Sequence, residues 1–172
     1  MLTFLGAGAV MVMILGLGTP TVFAQQTIQE WKTFYSPEYR FSLNYPTNES
    51  TTTITDNNSS DFQFGKQFST PPINFTVMVK QSTMDPQEYT IAYSQKLPSY
   101  FDTLEGGKIT PIVEDGVVGY LLRAINEQNG SWNYIISFSN NGYLYAFTFE
   151  TPFNGSDIDQ VNSIVDSIKF FD

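Results

Sequence analysis

Histidine and cysteine are both absent from this chain of 172 residues. The commonest general base, the thiolate nucleophile and the usual zinc ligands are therefore missing, and no Ser-His-Asp or Cys-His arrangement can form. No disulfide framework exists, and no cysteine is there to carry a lipid. Positive charge is scarce as well. Eight Lys and Arg stand against 17 Asp and Glu, a net charge of −9. Nucleic-acid binders cluster basic residues to neutralise phosphates; here they are few and scattered, so nucleic acid is not an expected partner. An anionic membrane surface is disfavoured for the same reason. Phosphate-cradling glycine loops are missing too, since Gly106-Gly107-Lys108 is only a turn signal. No cofactor is expected.

One long apolar run is present, at the start. Residues Leu2 to Leu17 are almost wholly apolar or Gly, and Val22-Phe23-Ala24 precedes Gln25-Gln26. A short apolar stretch ending in a small-x-small-like triplet reads as a secretory signal peptide, residues 1–24, cut after Ala24. The run is short for a membrane span, which takes about 20 apolar residues. No Lys or Arg precedes it, unlike most signal peptides, and an uncleaved N-terminal anchor is the alternative. With the signal removed, no membrane association is expected. Residues 25–172 are enough for one domain with a core.

Asparagine sequons accord with export. They occur at Asn48, Asn57, Asn58, Asn74, Asn129 and Asn154. Twelve Asn and 33 Ser or Thr would give roughly two by chance, so these are glycosylation candidates. Unmodified polar loops would match the same pattern.

Aromatics make up 16% of the chain, which argues for a packed globule. Tyr39, Phe41, Leu43 and Tyr45 alternate on one face of a strand that Pro46 ends. Residues 48–61 read as a polar loop holding a short Thr-rich strand. Further strands are expected over 61–68, with Phe62, Phe64 and Phe68, and over 73–80, with Ile73, Phe75, Val77 and Val79. Asp85-Pro86-Gln87-Glu88 opens a helix with Asp85 as N-cap and Pro86 at the first position; Tyr89, Ala92, Tyr93 and Leu97 form its stripe, and Pro98 limits it. Asp115-Gly116, Asn129-Gly130 and Asn141-Gly142 are hairpin signals. They join four strands into an antiparallel meander, with Trp132, Tyr134, Ile136 and Phe138 on one face of the third and Tyr143, Tyr145, Phe147 and Phe149 on one face of the fourth. A closing helix spans Ser156 to Ile168, with Ile158, Val161, Ile164, Val165 and Ile168 as its buried stripe. The expected class is α+β: an antiparallel sheet with two helices packed on it.

Two stretches carry a family resemblance. Phe34-Tyr35-Ser36 followed by Phe41-Ser42-Leu43-Asn44-Tyr45-Pro46 is similar to the N-terminal pattern of the PsbP family, within the Mog1/PsbP-like fold. Ile164-Val165-Asp166-Ser167-Ile168-Lys169-Phe170 is similar to its closing helix and strand. Arg40 stands where the family often has Gly. The resemblance implies an α/β/α sandwich and a non-catalytic accessory or binding module, of the small exported kind also found in archaea. Plant members are extrinsic subunits of photosystem II and Mog1 binds a small GTPase, but no interface residue of either is matched here.

Three chemistries are left to weigh. Glu114-Asp115 is the closest carboxylate pair, and paired carboxylates would make a hydrolase; turn chemistry in water is the plainer reading. Asp56-x-Asn58-x-Ser60-Asp61 resembles the start of a calcium loop, but Asp61 occupies the glycine position and Gln67 that of the bidentate Glu, so no metal site is expected. Trp31, Tyr35 and Tyr39 could offer an exposed patch to a protein or sugar, with core packing as the default, while Trp132, Tyr134, Tyr143 and Tyr145 are expected under a helix. The expected function is an exported, non-catalytic binding or accessory module acting at the cell surface or extracellularly, with a protein or envelope component as partner. The alternatives are a carboxylate-dependent hydrolase and a metal-tuned structural domain.

Overall fold

Two of the three turn dipeptides close two-residue turns in the computed structural model, which describes residues 30–47, 50–53, 62–103, 107–152 and 158–172, while Asn129-Gly130 ends a four-residue loop. Asp115 and Gly116 have φ of 50° and 79°, and Asn141 and Gly142 of 48° and 78°. These are two-residue turns whose positive φ matches the twist of the flanking strands. Between them run β7 (Thr110–Glu114), β8 (Val117–Asn126), β9 (Ser131–Asn140) and β10 (Tyr143–Pro152). They pair in sequence order as the expected antiparallel meander. β5 (Ile73–Gln81) joins the far side of β10, followed by β4 (Phe64–Thr70) and the Thr-rich β3 (Ser50–Thr53). A short β6 (Phe101–Thr103) shares the outer edge of β8 with β7.

A second sheet faces this one. β1 (Trp31–Ser36) and β2 (Phe41–Pro46) form a hairpin, and β11 (Lys169–Phe170) adds to the other side of β2. The turn between β1 and β2 ends at Arg40, whose φ is 55°. That left-handed geometry is natural for the Gly the family resemblance puts there.

The expected α+β class, a sheet roofed by two helices in an α/β/α sandwich, is therefore corrected. Among the described residues the fold is mostly antiparallel β, with 58% of them in strands and 14% in two short helices. Strand–strand packing supplies much of the burial expected from helices. One face of the large sheet presents Phe68, Phe75, Val77, Phe138, Tyr145, Phe147 and Phe149, all buried. Phe34, Phe41, Leu43 and Phe170 of the small sheet pack against them. Tyr145, expected beneath a helix, instead meets Phe41 and Phe170 at 5.6 and 5.0 Å. Its hydroxyl donates to the Tyr39 carbonyl at 2.9 Å, and burial pushes its pKa up to about 12.

The helix α2 (Ile158–Val165) covers the rest of that face with Val161, Ile164 and Val165, followed by Ile168. Ile158, expected in the stripe, is 39% exposed. The opposite face is roofed by α1 (Pro86–Ser94), whose N-cap Asp85 accepts from the backbone N–H groups of Gln87 and Glu88 at 2.7 and 3.3 Å. Tyr89 packs there with Leu144 and Ala146. Thr90 and Ser137, both fully buried, lie 2.6 Å apart and each reaches the Pro86 carbonyl. With one proton per hydroxyl, one donates to the carbonyl and the other to its neighbour, which fixes α1 on β9 without an unmet donor.

Among the described residues no helix is long and apolar enough to cross a membrane, which leaves β-barrel spans unaddressed. The segment 1–24 lies outside them.

Candidate functional site

The sheet and α2 do not close fully on one another. Ile112 of β7, Leu121 of β8 and Tyr134 and Ile136 of β9 form the floor of a cleft whose other wall is Ile158, Val161 and Val165 of α2. Its volume is about 210 Å³. Period-2 alternation explains the floor: Leu121 pairs with Ile136 and Arg123 with Tyr134, so all four point to one side. Glu114 and Asp166 stand at one end, and Asn162 on the wall. Arg123 is six residues along β8 from Val117, the register partner of Glu114. At about 3.4 Å per residue the backbone positions of Val117 and Arg123 are about 20 Å apart, so Glu114 and Arg123 enter the cleft from different ends.

The carboxylate pair of the sequence is thus split. Glu114 ends β7 facing the cleft, and its pKa is raised, first by burial and then by the charge of Asp166, against an opposing pull from Lys169. Asp115 turns the other way. It accepts from the Phe170 backbone N–H at 3.0 Å and from Lys169 Nζ at 3.3 Å. The first of these bonds, then the second, holds its pKa below the ordinary aspartate value. Asp115 is therefore structural, tying β11 to the β7–β8 turn.

The two neighbours should respond to amidation with opposite signs. A raised carboxyl pKa means stability is fullest at low pH and declines as pH rises through the raised value. Glu114→Gln removes that decline, so the variant is expected to melt higher than the parent at pH 7 and equally below the ordinary Glu pKa. A lowered pKa means the reverse: the contribution of Asp115 is present above the ordinary Asp value and lost as pH falls through the lowered one. Asp115→Asn keeps a turn-compatible residue yet is expected to melt lower at pH 7. Thermal melts of both variants across acid pH check the pair; shifts of the same sign would refute this assignment.

Trp31 and Tyr35 are not core. They share the outer face of β1 and are 40% and 61% exposed. Tyr35 stacks on Phe171 at 5.1 Å. Tyr39 leaves this group: half-buried, its ring lies 5.0 Å from Phe64. Trp132 and Tyr134 stack on each other at 6.5 Å, and Tyr134 does lie under α2.

Two sequons fall on described residues and meet at one place. Asn74 and Asn129, both exposed, rim a shallow hollow of about 250 Å³ with Pro72, Ser131 and Glu150. Asn129 Nδ2 donates to Glu150 Oε1 at 3.1 Å, and Asn74 Oδ1 accepts from Ser69 Oγ at 2.8 Å. Asn48, Asn57, Asn58 and Asn154, and the Asp56–Asp61 loop, lie outside the described residues. Among those described, no three of His, Cys, Asp and Glu converge on a metal-sized site.

No family model matches the sequence, and no curated protein does. Solved structures do. The chain is similar to cyanobacterial PsbP from Synechocystis sp. PCC 6803, with a TM-score of 0.61 and 14% identity over 86% of this chain and 96% of that one. The fold is PsbP-like. Weaker likenesses are to a protein of Bacteroides thetaiotaomicron VPI-5482 (TM-score 0.43, 15% identity, 82% of this chain and 48% of that one) and to a Pseudomonas aeruginosa protein of unknown function (0.45, 14%, 80% and 94%). At these identities the PsbP-like fold is what the likeness shows; the cleft and the aromatic face rest on this chain's own residues.

Proposed function

We propose that this chain is an exported, non-catalytic binding module, a single domain over residues 25–172 following a signal peptide, that docks a protein or envelope component at the cell surface or outside it. The observation that carries the reading is the outer face of β1. Trp31 and Tyr35 hold two large rings in water on a strand whose outer edge is unpaired among the described residues. Exposed Trp and Tyr of this kind are the side chains that dominate interfaces, because they bring a large apolar area and a polar tip on few rotatable bonds. Asn74 and Asn129 carry glycans in this reading, since both are exposed. Hydrolysis by paired carboxylates finds less support: Asp166 is exposed and Glu114 half-exposed, so the enclosed acid that glycoside cleavage requires is lacking at this cleft.

Cross-linking in the native envelope fraction tests the reading, with a Trp31→Ala, Tyr35→Ala double variant alongside. A reproducible adduct is expected with the parent and at least tenfold less with the variant, since each truncated hot-spot ring costs about 2 kcal/mol or more. An adduct indifferent to both substitutions, or none, would show that the β1 face is not the docking surface. Intact-mass measurement of the same material reads cleavage after Ala24 and glycan occupancy.

A further inference from the structure

We propose that the cleft between α2 and strands β7–β9 binds a small organic cation, a primary ammonium on an apolar body, with the ammonium at Glu114 and Asp166 and the body over Leu121, Ile136 and Val161. This site is separate from the β1 face and stands or falls independently of it.

Three observations select the ligand class. First, the cleft is a concavity with an apolar floor and few polar groups, the usual make-up of small-molecule sites. At about 210 Å³ it suits a ring or a short alkyl chain rather than a nucleotide or an oligosaccharide. Second, its charges are not mixed but segregated. The carboxylates of Glu114 and Asp166 come together from the end of β7 and the turn after α2, while Arg123 lies at the far end beside Tyr134. At the end where Glu114 and Asp166 meet, an ammonium head is attracted and an anionic head repelled. Third, Glu114 is held where its charged form is disfavoured by burial and by Asp166, relieved only in part by Lys169. A second cation placed there satisfies both carboxylates, which Lys169 cannot do alone because its Nζ is engaged with Asp115 at 3.3 Å. The acidic balance of the whole chain, −9, draws cations in the same sense.

Three near-isosteric probes separate charge from hydrophobicity: 2-phenylethylammonium, 2-phenylethanol and 3-phenylpropanoate, titrated into the protein by calorimetry and by amide chemical shifts. The ammonium is expected to bind saturably, with shifts confined to α2 and β7–β9. The alcohol is expected to bind about tenfold more weakly, the size of a lost charge-assisted hydrogen bond, and the carboxylate not measurably. Glu114→Gln, expected to fold at least as stably as the parent, should reduce ammonium binding about tenfold and leave the alcohol unchanged. Ile158→Trp, placed at the partly exposed mouth, should block both. Equal affinity for the three probes, shifts elsewhere on the surface, no saturation at millimolar ammonium, or a Glu114→Gln variant that binds like the parent would each overturn the assignment.

Discussion

Replacing Phe75 by Ala should lower the stability of the domain by about 4–5 kcal/mol, the upper end of the range for truncating a buried aromatic. Phe75 is 1% exposed and sits in the middle of a three-ring ladder that crosses three hydrogen-bonded strands. Its ring stacks on Phe68 of β4 at 4.4 Å and on Phe149 of β10 at 5.2 Å. The substitution therefore removes the buried area, leaves a cavity walled by rigid strands and breaks two ring contacts at once. Each such contact adds about 0.5–1.5 kcal/mol beyond the area buried. Against a total of about 5–15 kcal/mol for a domain, the loss brings the protein close to unfolding. Urea titration reads the effect as a fall in midpoint at constant slope. Phe75→Leu, which keeps most of the volume, should cost less than half as much; equal losses for Leu and Ala would mean that the ladder contributes nothing beyond filling space.

The residues of that ladder were legible in the sequence as three separate period-2 runs, but their stacking was not: a two-residue turn sets β4 beside β5, whereas nothing local sets β10 beside β5. Where local chemistry dictates structure, the sequence displays it. Asp115-Gly116 and Asn141-Gly142 demand positive φ and so announce their turns, and Asp85-Pro86 announces the start of α1. The second sheet was missed for physical reasons too. β1 carries Trp31 and Tyr35 on one face and Phe34 on the other, so alternation gives it no inside, and β11 is two residues long. Its pairing with β2 depends on Asp115, 55 residues away, holding the Phe170 backbone N–H. The cleft was hidden for a related reason. Glu114 and Asp115 are adjacent in the chain, yet Glu114 is the last residue of β7 and lines the cleft, while Asp115, at φ 50°, belongs to the turn and bonds to Lys169 and Phe170. The true neighbour of Glu114 is Asp166, brought there by the packing of α2.

Gly119 offers the sharpest disagreement between local expectation and tertiary structure. It lies inside β8, without the positive φ that marks a conformational need for glycine. By local rules alone Gly119→Ala should gain about 0.5–1 kcal/mol, since glycine loses the most freedom on folding. The opposite is expected here: a loss of about 3 kcal/mol, at the top of the range for overpacking. A Cβ at this position would meet the Phe138 ring carbons Cδ1 and Cε1 and would come within 2.6 Å of the Ser137 carbonyl oxygen. Neither can retreat. Phe138 is fully buried, with its ring between Phe147 and Phe170 at 6.0 and 5.4 Å. The backbone of β8 is clamped at this residue from both sides, by Ile112 of β7 and Phe138 of β9. The aromatic ring lies over the glycine because the glycine leaves it room. A double-mutant cycle isolates that relation: in a Phe138→Leu background the alanine should cost markedly less, with the remainder owed to the Ser137 carbonyl. If Gly119→Ala raises the melting temperature, or costs the same with and without the ring, the close approach of Phe138 to β8 is not what this position requires.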